Sequence, residues 1–425
     1  MSVRPALLFY GDDFTGASDA LATAALGGLR SLLFLRVPDD ALLARAGALD
    51  CIGIAGAARA MAPAEMAAAL APVAALARRL RPHVLHYKVC STFDSASGVG
   101  NIATAVTALR GAVPSPGVIV LGGQPSLRRY CLFGQLFASS VDGEVVRIDR
   151  HPTMSRHPVT PTHEADLRRH LAGLGWPDLG LLSWTALEDA ATALPPGDVL
   201  IDVARPVHLE RIGQLLTAGP ARQGVLAVGA SSVIEAVLAA LPRSSAERVV
   251  PQPARGPVFV LAGSQSPNTA RQVAATRSYD VVRIDAARLA DPSQTAYHGA
   301  LAGDCARQLL SGRHVLACTM PAADATMSAG APAVDARALA EAGGRLLAEV
   351  LRQAPLARAG VAGGDTSSHA VLALDAWGLS FVHRLAPGVP LCRVHSDQPG
   401  LDGMEIMLKG GQMGGDDLFE RLLTG

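Results

Sequence analysis

Short apolar runs, closed by glycine, proline or polar residues, recur along the chain and alternate with longer Ala/Leu-rich stretches. Runs at 6–10, 31–35, 51–55, 84–88, 117–121, 199–203 and 225–228 predict strands. A second series falls at 258–262, 281–284, 314–318, 360–362 and 391–394. Helical patterning lies between them at 63–79, 165–173, 234–240, 268–275, 335–353 and 367–377. Continuous apolar strands separated by helices predict an α/β protein whose mostly parallel sheets are covered on both faces.

One stretch breaks the rhythm. Pro251, Pro253 and Pro257 crowd a segment that precedes a strong strand, which predicts a linker over 246–257. The expected domains are then 1–245 and 256–425, with the active site in a cleft between them. At 425 residues, two cores are the natural expectation. Residues 141–165, interrupted by prolines, are expected to form a loop excursion within the first domain.

Composition narrows the class. Hydrophobic residues make up 49% and charged residues 17%, as in a well-packed soluble protein. The net charge is zero, which gives no support for nucleic-acid or membrane-surface binding. The six cysteines are scattered without a CxxC, so neither a zinc site nor a disulfide framework is suggested, and a reducing cytoplasm fits. No apolar stretch is long and unbroken enough to span a membrane.

Charge type is more telling than charge balance. Of the 37 basic residues only Lys88 and Lys409 are lysine. Both lie in polar segments, and a compact ammonium can point at one oxygen where a planar guanidinium cannot. In parallel α/β sheets ligands gather beyond the carboxyl ends of the strands, and the polar segments fall there. Asp12 and Asp13 follow the first predicted strand and suit hydroxyl binding, metal binding or general-base work. A helix N-cap accounts for one of them but not both. Arg59 follows the strand at 51–55 and is suited to fork onto a carboxylate, or else to form a surface ion pair. Lys88, Ser91 and Asp94 fall in one loop with Thr92, Ser95 and Asn101, which suits binding a small molecule through several hydroxyl or carboxylate groups, or else a buried polar turn. Gln124 follows Gly122-Gly123 and is placed to read a hydroxyl; Arg128 and Arg129 are ambiguous.

In the second half, Ser264 follows the strand at 258–262 and opens a helix, a favourable start for anion binding. Gly363-Gly364-Asp365-Thr366 repeats the strand, glycine turn and helix pattern. Lys409 with Gly410, Gly411 and Gly414 forms a glycine loop whose amides can approach phosphates. Three such loops together indicate nucleotide binding. Neither GxGxxG after the first strand nor GxxxxGK[ST] occurs, and no HExxH is present.

Taken in order, GDDFTGASDAL, the Arg59 segment, HYKVCSTFDS, VTPTHEADLRRHL, LAGSQSPNTARQV, AGGDTSSHA and LKGGQMGG resemble the four-carbon acid sugar kinase family over nearly the whole chain. The CSTFDS form is similar to its 3-oxo-tetronate kinase branch. The continuation from Ala96 to Ala103 and the KGGQMGG loop depart from that branch, which points to a related small hydroxy acid. The resemblance implies an N-terminal domain for the acid sugar, a C-terminal domain for ATP with Mg2+, and phosphorylation of a terminal hydroxyl. It puts Ser264, Gly363–Thr366 and the Lys409 loop on the ATP side, and Asp12, Asp13, Arg59, Lys88, Ser91 and Asp94 on the substrate side. One of the three aspartates is expected to orient or accept the proton of the attacking hydroxyl, with Arg59 and Lys88 on the substrate carboxylate or hydroxyls. Lys88 and Lys409 are expected to face each other across the cleft. The family leaves room for a homo-oligomer. The competing expectation is an acid-sugar-binding or sensor protein without transfer; a dehydrogenase is disfavoured by the missing dinucleotide fingerprint.

Overall fold

The computed structural model describes residues 4–140, 143–156, 160–241, 251–319 and 334–425. Two compact units emerge, Met1–Glu247 and Arg248–Gly425. Among the described residues no helix is long and apolar enough to cross a membrane.

The first unit carries β1 (Leu7–Gly11), β2 (Ser31–Phe34), β3 (Cys51–Ala55), β4 (Val84–Lys88), β5 (Val118–Gly122), β6 (Arg129–Leu132), β7 (Gln135–Ser139), β8 (Val145–Arg147), β9 (Gly180–Leu182), β10 (Val199–Asp202) and β11 (Val225–Gly229). Eight of these form a parallel sheet in the order β2-β3-β1-β4-β11-β5-β10-β9. Its central strands are buried along their whole length, which is why they read as unbroken apolar runs. The remaining β6, β7 and β8 make a small antiparallel sheet. The loop expected over 141–165 therefore contains β8 and short 3-10 turns, while 141–142 and 157–159 lie outside the described residues. These strands are half-exposed and only three to five residues long, too short for a clear apolar period.

The second unit carries β12 (Val258–Ala262), β13 (Tyr279–Arg283), β14 (His314–Cys318), β15 (Arg358–Ala362), β16 (Ala376–Ala386), β17 (Val389–Ser396) and β18 (Glu405–Lys409). The order is β13-β14-β12-β15-β18-β17-β16, parallel from β13 to β18 and antiparallel from β18 to β16. Under it sits a core of Val260, Leu316, Met407, Phe419 and Leu422.

Two expectations are corrected here. The helix predicted over 367–377 runs Gly364–Ala373, and Trp377 belongs to β16. Its aromatic and β-branched continuation pairs with β17 across a Pro387-Gly388 turn, so partner strand overrides local helical spacing. The proposed linker is not free along its described part. Arg358 donates to the Gln252 carbonyl at 2.9 Å and the Ala254 amide to the Leu423 carbonyl at 2.8 Å. Residues 246–250 lie outside the described residues.

Candidate functional site

Three neighbouring strands of the first unit, β3, β1 and β4, end at one level, with Gly11 in register with Ala55 and Lys88. Their carboxyl ends gather Arg59, Asp12, Asp13 and Lys88. Arg59 forks onto Asp12, with Nη2 at 2.8 Å from Oδ1 and Nε at 3.2 Å from Oδ2. The same Nη2 lies 3.0 Å from Asp13 Oδ1. Asp13 is the N-cap of the helix Phe14–Leu26, accepting from the Gly16 amide at 3.0 Å and from Thr15 Oγ1 at 2.6 Å. The two carboxylates thus have different duties. Burial raises Asp12 to about 6, against the pull of Arg59 and with the help of the Asp13 charge. Burial acts on Asp13 too, but Arg59, Lys88, Thr15 and the Gly16 amide outweigh it and hold its pKa below the ordinary value.

Lys88 is buried, with 5% of its surface exposed, yet among the described residues its Nζ makes no hydrogen bond or ion pair. The ammonium and an Asp13 oxygen occupy the volume a Cβ on Gly16 would need, so the glycine is what admits this cation. Gly100, at φ +60°, brings the far end of the Lys88 loop against the Arg59 turn; a Cβ there would lie 2.6 Å from the Arg59 carbonyl oxygen.

The rest of the loop is buried and polar. Thr92 Oγ1 donates to Asp94 Oδ1 at 2.6 Å, which leaves the other carboxylate oxygen available. Ser95 and Asn101 fix the loop end and cap the helix Ile102–Leu109. Ser91 is buried beside them. Gln124, expected to read a hydroxyl, has its amide nitrogen turned to Ser126 at 3.3 Å and Glu235 at 3.4 Å.

In the second unit four adjacent parallel strands, β14, β12, β15 and β18, end in Thr319, Gly263-Ser264, Gly363-Gly364 and Lys409-Gly410. Gly363 (φ +130°) turns the chain into the helix Gly364–Ala373; a Cβ on it would meet the Ser264 amide at 3.1 Å. Gly364 has open space above it. Asp365 lies exposed on the first turn and Thr366 is buried below. The free amides of this turn carry the positive end of the helix.

Lys409 is held beneath its loop. Its side chain is wholly buried, and Nζ donates to Gln272 Oε1 at 2.6 Å, to Thr269 Oγ1 at 2.9 Å and to the Gly411 carbonyl at 3.4 Å. Three oxygens of the protein thus surround the ammonium. Burial lowers its pKa to about 7, although the three oxygens around it favour the charged form. The loop beyond is held by its carbonyls. Asn268 and Gln272 donate to the carbonyls of Met413 and Gly414 at 3.0–3.2 Å, and Gln272 also to Gly415 at 3.0 Å. Ser266 and Thr269 donate to Gly411. Among the described residues the amides of Gly411, Gln412, Gly414 and Gly415 have no partner. Tied carbonyls and free amides are what an anion-binding loop requires. A Cβ on Gly411 would lie 2.6 Å from Ser264 Oγ, so this loop closes directly on the turn after β12.

Sequence reasoning missed this brace. Thr269, Gln272 and Asn268 sit on one face of the helix Pro267–Ala275, and polar residues spaced by three or four on a short helix read as a solvated face.

Comparison with known proteins follows the same division. Residues 7–237 match the model of a sugar-binding N-terminal domain, and residues 259–419 that of a nucleotide-binding C-terminal domain. The chain is 38% identical to a 3-oxo-isoapionate kinase of Paraburkholderia graminis, covering 99% of this chain and 94% of that one. It is 31% identical to a 3-oxo-tetronate kinase of Methylobacterium radiotolerans, with 97% of each chain covered. Among solved structures, a chain from Salmonella typhimurium LT2 described as a tRNA synthase superposes with a TM-score of 0.78 at 22% identity, covering 99% of this chain and 98% of that one. A Haemophilus influenzae protein gives 0.70 at 23%, with 98% of each covered. These two share the fold.

Proposed function

The chain belongs to the four-carbon acid sugar kinase family and is a sugar acid kinase; from that premise we propose that it transfers the γ-phosphoryl group of ATP to a terminal hydroxyl of a short 3-oxo sugar acid of the isoapionate or tetronate type. The observation that carries this reading is the quartet of buried Asp12, Asp13 and Lys88 with half-buried Arg59 at three adjacent strand ends of the sugar-binding domain.

Phosphoryl transfer asks the protein for position and charge more than for covalent chemistry. The hydroxyl oxygen bonds to the γ-phosphorus as the bond to the bridging oxygen of ADP breaks, and the hydroxyl proton goes to a carboxylate. Asp12 is the acceptor in this reading, because a buried carboxylate held near 6 is both ionised at neutral pH and basic enough to take the proton. Asp13 stays ionised and holds Thr15, the helix start and Arg59 in place. Lys88 and Asp94 take substrate oxygens, the ammonium as donor and the carboxylate as acceptor; Ser91 lines the same loop. On the nucleotide side, the free amides of Gly411, Gln412, Gly414 and Gly415 and the start of the helix Gly364–Ala373 receive the phosphates.

Among the described residues no three His, Cys, Asp or Glu side chains gather into a metal cage. Mg2+ would be carried by the nucleotide phosphates with one or two carboxylates, Asp365 beside the turn being one, and the cation would neutralise phosphate charge.

ADP release, measured over four-carbon hydroxy acids, their 3-oxo forms and the branched 3-oxo-isoapionate, tests the reading. ATP-dependent turnover of a 3-oxo acid is expected; turnover of none of them overturns it.

A further inference from the structure

Arg59 was the arginine expected at the substrate carboxylate, but its Nε and Nη2 are spent on Asp12 and Asp13. A second arginine stands nearby in the fold. Arg129 opens β6 just after β5, and its backbone is clamped to the end of that strand: the Gln124 amide donates to the Arg129 carbonyl at 2.8 Å, and the Arg129 amide to Gln124 at 3.1 Å. Gly123, at φ +95°, makes this clamp feasible, since a Cβ there would lie 2.8 Å from the Cys131 amide nitrogen. The side chain is anchored as well, through Nη1 to the Leu127 carbonyl.

The opposite edge of the guanidinium is unspent. Nε is buried and has no partner among the described residues, and no bond is made by Nη2. Among the described residues Arg129 forms no salt bridge, yet Cys90 and Asp94 of the Lys88 loop lie close enough to act on its charge. His170, on the helix Leu167–Gly173, makes a backbone hydrogen bond at Phe93 of the same loop. Its Nε2 is also buried without a partner, and Asp94 acts on it too. A buried N–H left unpaired costs about 1–3 kcal/mol. An unpaired guanidinium edge beside this carboxylate loop marks where a ligand completes the bonding. The Nε and Nη2 edge of a guanidinium presents two parallel donors, the pattern that matches a carboxylate.

We propose that Arg129 holds the carboxylate of the sugar acid by its free Nε and Nη2 edge, and so selects acids over neutral polyols. This rests on the sugar-acid reading of the first domain. Arg59 then acts as a positioning residue for Asp12 and Asp13.

The test compares L-threonate with its neutral carboxamide by calorimetry, in the full-length wild type, Arg129→Gln and Arg129→Lys. Wild type should prefer the acid. In Arg129→Gln that preference should fall by about tenfold to a hundredfold, the value of one charge-assisted hydrogen-bonding group, while affinity for the amide stays unchanged. Arg129→Lys should keep part of it, as a point charge without the fork. ATP affinity should be the same in all three, which separates lost recognition from lost folding. An acid-to-amide preference unchanged in Arg129→Gln, or absent in wild type, overturns the proposal. If wild type selects the acid but releases ADP with none, the kinase reading fails and the carboxylate assignment stands.

Discussion

Lys409 Nζ donates to Gln272 Oε1 at 2.6 Å and so ties the end of β18 to the helix that follows β12. One amide side chain thereby serves two masters, since Gln272 Nε2 holds the carbonyls of Met413, Gly414 and Gly415. The glycine loop is shaped by a lysine and a glutamine that lie beneath it.

Removing this brace should disturb the loop from below. Lys409→Met leaves the oxygens of Gln272 and Thr269 buried and unpaired, at a cost of about 1–3 kcal/mol for each polar group. Urea denaturation should show the second domain destabilised, and calorimetry should show ATP affinity lost. Gln272→Leu should weaken ATP binding as well, although its side chain lies under the loop. An unchanged ATP affinity in Gln272→Leu would remove the brace from the binding mechanism.

The same lysine gives a pH signature. Its pKa falls from 10.5 in the unfolded chain to about 7 in the folded one. Between those values the unfolded state binds the proton that the folded state has released, so stability should rise as pH goes from about 7 towards 10. Below about 7 both states carry the proton and this contribution is absent. Denaturation midpoints of wild type and Lys409→Met across this range check it; their difference should change with pH.

Asp12 should set the acid limb of turnover. Its pKa near 6 predicts a kcat that rises with pH through about 6 and then levels. Asp12→Asn should abolish most turnover with little change in ATP affinity. Asp94→Asn should act mainly on KM for the acid, because its role is to receive a hydroxyl. A pH–rate profile for each variant, with ATP titrations, distinguishes the two. Because its folded pKa is raised, ionised Asp12 also costs stability as pH rises above the unfolded value near 3.8, and Asp12→Asn should relieve that cost in proportion.

Gly16→Ala tests the place of Lys88. The backbone at Gly16 is helical, so alanine itself carries no conformational penalty there. The new methyl group would take the volume of Lys88 Nζ and an Asp13 oxygen. KM for the acid should rise about tenfold or more, with thermal stability close to wild type. A wild-type KM would show that Lys88 does not need that position.

Much of the site could be read from the chain alone, because strand ends carry it. Asp12, Asp13, Arg59 and Lys88 each follow a short apolar run, and parallel strands in register bring such positions to one edge. What could not be read was how each side chain is spent. Arg59 and Arg129 look alike as arginines after strands. One forks onto two aspartates and the other keeps an edge free. The strands β6–β8 and the hairpin β16–β17 were missed because pairing partners, rather than local period, decide them.

The two lysines mark the boundary. Sequence by itself singled them out, assigned each to its own α/β domain, and identified the family through motifs in order. The fold decided their duties. Lys88 is buried with its head unbonded among the described residues, which suits it to a ligand; Lys409 is buried with its head bonded to three oxygens, which suits it to a support. Which oxygens surround a buried charge depends on residues more than a hundred positions away. For Lys409 they belong to Thr269 and Gln272, and such neighbours are set by packing of the whole chain.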